Sequence, residues 1–195
     1  MNISNVEFKA TEQNDSFYFL NKGAKLYNKG EYLEAIEYYE IAATMGNSHA
    51  ISNLGYCYLY GRGISKDEKK AVLYFNIAAN KNDVDALYKL GTLYLSGTVV
   101  NKDKEIALYL LKKAVAQAED LSDFPSLCYT LANEYIKDIR NNNPEEIYSL
   151  LEEAKYGYEY EIEENGATYY QKNYNEVLKM LENPLFDEFE NEEEW

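Results

Sequence analysis

Apolar and small residues along this chain recur at intervals of three and four, the spacing of a helical face rather than the alternation of a strand. Ala50, Leu54 and Tyr58 stand four apart and share one face, and Ala71, Phe75 and Ala78 share a face on a second helix. The pattern then returns. Ala50-Ile51-Ser52-Asn53-Leu54-Gly55-Tyr56-Cys57-Tyr58 reappears as Ala86-Leu87-Tyr88-Lys89-Leu90-Gly91-Thr92-Leu93-Tyr94, 36 residues on. The same shift carries Gly61 to Gly97, Asp67 to Asp103, Ala71 to Ala107 and Ala78 to Ala114. Backward, it carries Ala71 to Ala35, Phe75 to Tyr39 and Ala78-Ala79 to Ala42-Ala43. One shift that aligns so many positions marks an internal repeat.

Each repeat reads as two helices. Gly55 and Ala71 are small enough to let two helix axes approach. Gly61 suits the left-handed residue that ends a first helix. Asp67 and Asp103 suit the N-caps of second helices, and Asp83 the N-cap of the next first helix. Tyr39, Tyr58, Tyr74 and Tyr94 hold repeat positions and are expected in the core. One such pair cannot hide its apolar face alone, but stacked pairs bury it continuously, as solenoids do.

These residues carry a family resemblance. Ala50-x3-Leu54-Gly55-x2-Tyr58-x2-Gly61-x-Gly63-Ile64-x2-Asp67-x2-Lys70-Ala71-x2-Tyr74-Phe75-x2-Ala78-Ala79 resembles the Sel-one-like repeat, and the unit from Ala86 is similar, with Val99 in place of the second loop glycine. The first unit differs. Its Phe19, Gly23, Leu26, Gly30, Tyr32, Ala35, Tyr39 and Ala42 resemble the related tetratricopeptide repeat, whose inter-helix loop is four residues shorter. The resemblance implies an all-α, right-handed α-solenoid of stacked antiparallel helix pairs. It also implies scaffold or adaptor work, and bacterial members commonly serve host interaction, secretion or signalling.

The expected organisation is an N-terminal extension (1–15), a tetratricopeptide-like repeat (16–46), two Sel-one-like repeats (47–82 and 83–120), a degenerate fourth repeat (121–157), capping helices (158–182) and an acidic tail (183–195). In the fourth repeat, Leu127, Leu131, Ala132 and Tyr135 make a first helix opened by Ser122 or Asp123, with Pro125 in its first turn. Asn143-Pro144-Glu145-Glu146 opens the second helix, through Ile147, Leu150, Leu151 and Ala154. The stretch from Ala167 to Val177 faintly echoes Ala24 to Ala35 and reads as a polar cap. Charge repulsion is expected to hold the tail, with Phe186, Phe189 and Trp195, extended until something binds it.

Charge and composition narrow the function. The net charge is −15 over 195 residues. Residues 141–195 hold 16 acids against Lys155, Lys172 and Lys179, a local balance of −13, so the rest of the chain is nearly neutral. That polarity argues against nucleic acid and anionic membranes, and favours a protein or peptide partner of basic character. No apolar run approaches a membrane span and no secretory signal opens the chain, so the expected location is cytoplasmic. The two cysteines and single histidine leave little for metal, cofactor or nucleophile chemistry.

Candidate chemistry dissolves on inspection. Gly61-Arg62-Gly63-Ile64-Ser65-Lys66 lacks the preceding strand of a phosphate-cradling loop and reads as the repeat turn. His49 and Cys57 share a helix but not a third orienting group, so neither a zinc site nor a nucleophile pair follows. Cys57 and Cys128 each lack a partner in their own repeat, unlike secreted relatives with bridged repeats. Glu152-Glu153, Glu163-Glu164 and Glu192 to Glu194 read as solvated faces rather than acid–base pairs. The chain is therefore read as a non-enzyme with no cofactor and no metal, and a small-molecule substrate is not expected.

What remains is a surface. In this solenoid class the first helices line the concave wall, which here would present Tyr27, His49, Ser52, Tyr56, Tyr60, Tyr88, Thr92, Tyr129 and Asn133. Tyrosine offers large contact area with a polar tip and little entropy to lose. The leading reading is a groove that holds a protein segment. The alternative is an acidic immunity-type inhibitor that neutralises a cationic toxin. The tail is a further candidate to occupy the protein's own groove.

Overall fold

A computed structural model of the chain describes Ala10, residues 15–187 and Phe189. Those residues form nine α-helices and no strand. They are α1 (Ser16–Asn28), α2 (Tyr32–Thr44), α3 (Ser48–Tyr60), α4 (Glu68–Ala79), α5 (Val84–Ser96), α6 (Lys104–Gln117), α7 (Pro125–Ile136), α8 (Pro144–Glu163) and α9 (Gln171–Leu181). The helices gather into two compact units, residues 1–110 and 111–195, with the division inside α6. No described helix is long and apolar enough to cross a membrane.

In the first unit the expected caps Asp67, Asp83 and Asp103 form, Asp103 accepting the Ile106 N–H at 3.0 Å, and Asp15 and Asn47 add two that were not expected. Asp15, Asn47, Asp67 and Asp83 each accept a backbone N–H with a side-chain oxygen at the start of α1, α3, α4 and α5. Gly61 and Gly97 end α3 and α5 in the left-handed region, at φ 66° and 71°. Small residues set the spacing between paired helices. A Cβ on Gly55 would lie 2.8 Å from the Phe75 ring, and one on Gly23 would lie 2.7 Å from the Tyr39 ring. Phe75 stands 20 residues after Gly55, but Tyr39 only 16 after Gly23. The four-residue difference is the shorter loop, residues 29–31 between α1 and α2 against 61–67 between α3 and α4. Aromatic-on-glycine packing therefore survives a change of loop length.

Gly61 to Lys66 is the repeat turn. Gly63 sits at φ +71°, and a Cβ there would meet the Tyr32 backbone at 2.7 Å. The loop after α3 thus lies directly on the start of α2. The tyrosines at repeat positions divide. Tyr39 and Tyr58 are buried as expected, whereas Tyr74 and Tyr94 are half-buried. Tyr74 stacks on Tyr58 with ring centroids 5.3 Å apart.

The second unit departs further from the repeat pattern. Phe124, not Ser122 or Asp123, is the residue before α7, and Pro125 opens the helix. Ser122 is held instead in its own turn, its N–H and hydroxyl both donating to Asp120 at 2.9 and 2.7 Å. Asn143 caps α8 and Pro144 opens it. That helix then runs 20 residues without a break at 157. Gly157 is no breaker here: a Cβ would lie 2.2 Å from the Ser122 carbonyl oxygen, so the glycine admits the loop before α7. Tyr135 and Tyr158 are among the largest fully buried side chains. Phe186 is fully buried as well, within a short 3-10 turn (Pro184–Phe186), and Tyr148 packs against Phe186 and Phe189 at 5.8 and 5.6 Å. The root of the expected extended tail is therefore anchored by its aromatics; the rest of the tail and most of the N-terminal extension lie outside the described residues.

Candidate functional site

Helical spacing places His49, Ser52, Tyr56 and Tyr60 along one side of α3, and the first unit sets other aromatics and two cations around them. Tyr56 and Tyr60 stack with centroids 6.2 Å apart at 10°. Tyr56 also meets the buried Phe75 edge-on at 5.0 Å, so one end of this row is rooted in the core. Its hydroxyl is pushed far above the usual phenol range by burial, then by Asp85. Tyr60 is 53% exposed. Two cations lie near its ring, Arg62 at 5.5 Å and Lys89 at 5.5 Å. Lys89 also donates to the Tyr60 hydroxyl at 3.1 Å and lies 5.7 Å from the Tyr56 ring. Arg62 reaches back to Tyr27, donating to its hydroxyl while lying 5.2 Å from that ring and 5.7 Å from Tyr32. Burial raises the Tyr27 hydroxyl, and Arg62 offsets only part of the shift. Each exposed cation–ring contact contributes about 0.5–1 kcal/mol. Together the five residues Tyr27, Tyr56, Tyr60, Arg62 and Lys89 make an ordered shelf.

The other expected contacts scatter. Ser52 is buried at 2% exposure with no partner for its hydroxyl, so it faces the interior rather than the surface. Thr92 spends its hydroxyl on the Lys89 carbonyl at 2.8 Å. Tyr88 is half-buried and close enough for its charge state to bear on Tyr56. Tyr129 and Asn133 belong to α7 of the second unit, where the Tyr129 hydroxyl donates to Glu176 of α9, and burial, then Glu176, lifts its pKa to about 12. Sequence reasoning missed Arg62 and Lys89, whose positions the repeat motif leaves unspecified, and read Tyr32 only as a repeat position.

His49 takes another role. Its Nδ1 lies 3.0 Å from Oδ2 of Asp83, whose side chain is fully buried. The Asp83 contact raises the His49 pKa above 6.5 despite opposing desolvation. For Asp83, burial acts upward, but His49 and the Ala86 N–H outweigh it and the net shift is downward from 3.8. Cys57 and Cys128 are free and buried, and burial pushes their thiols up to about 11 and about 12. Neither is a poised nucleophile.

Comparison with known proteins agrees with this architecture. The Sel1 repeat family model matches residues 16–47, 48–83 and 84–118, more than half of the chain. This chain belongs to the Sel1 repeat family. Among solved structures, a Sel1 repeat protein from Oxalobacter formigenes is 29% identical, with a TM-score of 0.64. The match covers 75% of this chain and 59% of that one. The protective antigen c5321 of uropathogenic Escherichia coli, which displays an SLR fold, is 18% identical with a TM-score of 0.59, over 87% of this chain and 38% of that one. This chain thus spans less than two thirds of either neighbour. No curated protein matches it in sequence. As a Sel1 repeat protein it has the all-α solenoid fold, in a family that generally scaffolds protein interactions without catalysis.

The His49–Asp83 pair sets a pH dependence. Asp83, depressed below 3.8, contributes stability that is present above that value and lost as pH falls through its folded pKa. His49, raised above 6.5, contributes stability that is present below 6.5 and lost as pH rises through its folded pKa. Both contributions are complete only between those two values. Thermal melts of the wild type should fall from pH 6 toward pH 8.5, and His49→Gln should remove that part of the slope. With the imidazole 52% exposed, solvent screening keeps the effect under about 1 kcal/mol. Identical slopes in the two proteins would dismiss the pair as a contributor.

Proposed function

We propose that this Sel1 repeat protein is a non-catalytic scaffold that holds a protein segment against the tyrosine shelf of its first unit. The observation that carries the reading is Tyr60, half exposed, with Arg62 and Lys89 each 5.5 Å from its ring. Aromatic and arginine side chains dominate the energetics of protein interfaces, and here they are already held in place by one another. The shelf is locally cationic, so the contacting segment presents a carboxylate to it. This differs from the basic partner suggested by net charge alone, because the acid excess lies in residues 141–195, while both cations lie in the first unit.

The test is Tyr60→Ala combined with Arg62→Ala. Each truncation at a hot spot costs about 2 kcal/mol or more of binding. Paired affinity captures with mass spectrometry should therefore lose the specific partner from the double variant while its melting temperature holds. Capture of the same partner in the same amount by both proteins would refute the shelf. Tyr56→Ala with Tyr88→Ala is a poorer probe, since Tyr56 packs on Phe75 and its loss disturbs the core. The immunity-type reading draws on the local balance of −13. It requires an association rate that falls steeply with salt, and a partner of high positive charge.

A further inference from the structure

We propose that His49, Asp83 and Asp85 form a binding site for one divalent ion of the zinc class, where α3 of one repeat meets the start of α5 in the next. The inference is independent of the shelf. One ligand atom from each residue lies within 4.8 Å of the other two. His49 Nδ1 and Asp83 Oδ2 are 3.0 Å apart. Ligand atoms bound tetrahedrally at about 2.0–2.1 Å sit about 3.3 Å from each other. The pair already has nearly that spacing, and the exposed Asp85 closes the remainder by side-chain rotation.

A second observation points to a ligand. The Asp83 side chain is fully buried, and its two oxygens are used differently. Oδ1 accepts the Ala86 N–H at 3.0 Å as the cap of α5. Oδ2 is buried and accepts no hydrogen bond, although it faces His49. The 3.0 Å approach brings two possible ligand atoms together. The His49 imidazole is set against that buried oxygen, and a cation shared with the imidazole and Asp85 would satisfy it more fully.

The preceding repeat supplies an internal comparison. Asn47 stands 36 residues before Asp83 and caps α3 in the same way, accepting the Ala50 N–H at 3.0 Å. Its remaining amide donates to the Ser16 hydroxyl at 3.2 Å, a neutral contact. Capping alone is therefore met by asparagine. One repeat later the same place carries a carboxylate, with a second carboxylate and an imidazole beside it. For Asp85, 36 residues after His49, desolvation, then the Asp83 charge, raises the pKa, and His49 offsets part of the rise. A mixed imidazole and carboxylate set suits zinc or its neighbours in the first transition row better than calcium or magnesium, which prefer oxygen alone. Three protein ligands leave room for water or an incoming group as the fourth.

The test uses the full chain, free of any histidine tag and stripped with EDTA, titrated calorimetrically with zinc chloride at pH 7.5. One ion should bind at micromolar Kd. His49→Gln and Asp85→Asn, both at exposed positions, should each weaken binding by at least about tenfold, since even loss of a residue behind the ligands costs about 10–100-fold. Cobalt(II) should give a visible spectrum without thiolate charge-transfer bands, because the two cysteines are buried and poorly ionised. Absence of binding at 100 µM zinc would overturn the site. So would zinc binding that neither substitution weakens, which would assign the ion to acidic runs elsewhere.

Discussion

Phe75→Ala is expected to cost about 3–5 kcal/mol, the usual range for deleting a buried aromatic ring. Phe75 is fully buried, it fills the space over Gly55, and it supports Tyr56 from below. Its loss opens a hole in the contact between α3 and α4 and removes the footing of the shelf at once. For a chain of this size each kcal/mol lowers the melting temperature by about 2–4 °C, so a drop of about 6–20 °C should appear by circular dichroism. Gly55→Ala supplies the control from the other side. Its new methyl would press on the same ring at 2.8 Å, so the single change destabilises. In Phe75→Ala the pressing ring is gone, so adding Gly55→Ala should cost less than it does in the wild type. Strict additivity of the two changes would show that the glycine and the ring do not share one space.

Gly63→Ala is the second large effect. The residue sits at φ +71°, where a side chain costs about 1 kcal/mol or more, and the methyl would also strike the Tyr32 backbone at 2.7 Å. Backbone cannot rotate aside as a side chain does, so the loop must lift from the start of α2. The expected loss is about 3 kcal/mol, within the range for overpacking. Gly30→Ala separates the two causes. It has φ +82° with nothing within 4 Å of the added methyl, so it carries the backbone penalty alone. Chemical denaturation should place Gly63→Ala well below Gly30→Ala. Equal midpoints would mean that the contact with Tyr32 contributes nothing, and Arg62, on the same loop, would lose its claim to a fixed position.

The repeat, its helices and their caps could be read in the chain because small residues, capping residues and a fixed shift each constrain the same positions. Gly23 with Tyr39 and Gly55 with Phe75 repeat one contact across two loop lengths, which is why the first unit was recognisable despite its shorter turn. The candidate surface was harder. Tyr27, Tyr56 and Tyr60 do come together, yet Ser52, at helical spacing from Tyr56, turns inward. A face several residues wide cannot be divided into buried and exposed halves by periodicity. The cations were invisible for a different reason: Arg62 lies in a turn and Lys89 in the next repeat, and only the fold brings both to Tyr60. Asp83 was foreseen as a cap, but a cap uses one carboxylate oxygen, and nothing in the sequence tells where the other is aimed. Beyond residue 120 the pattern blurs, because the continuity of α8 past Gly157 depends on a contact with Ser122 made possible by the missing side chain.

The two sheltered sulfurs have a practical use that follows from where they lie. Cys57 belongs to the first compact unit and Cys128 to the second, one thiol apiece. Neither reacts readily while covered, so alkylation proceeds only when the surrounding helices open. Each half of the molecule therefore carries its own clock, and peptide mapping of the modified sulfurs can time the opening of one half without interference from the other.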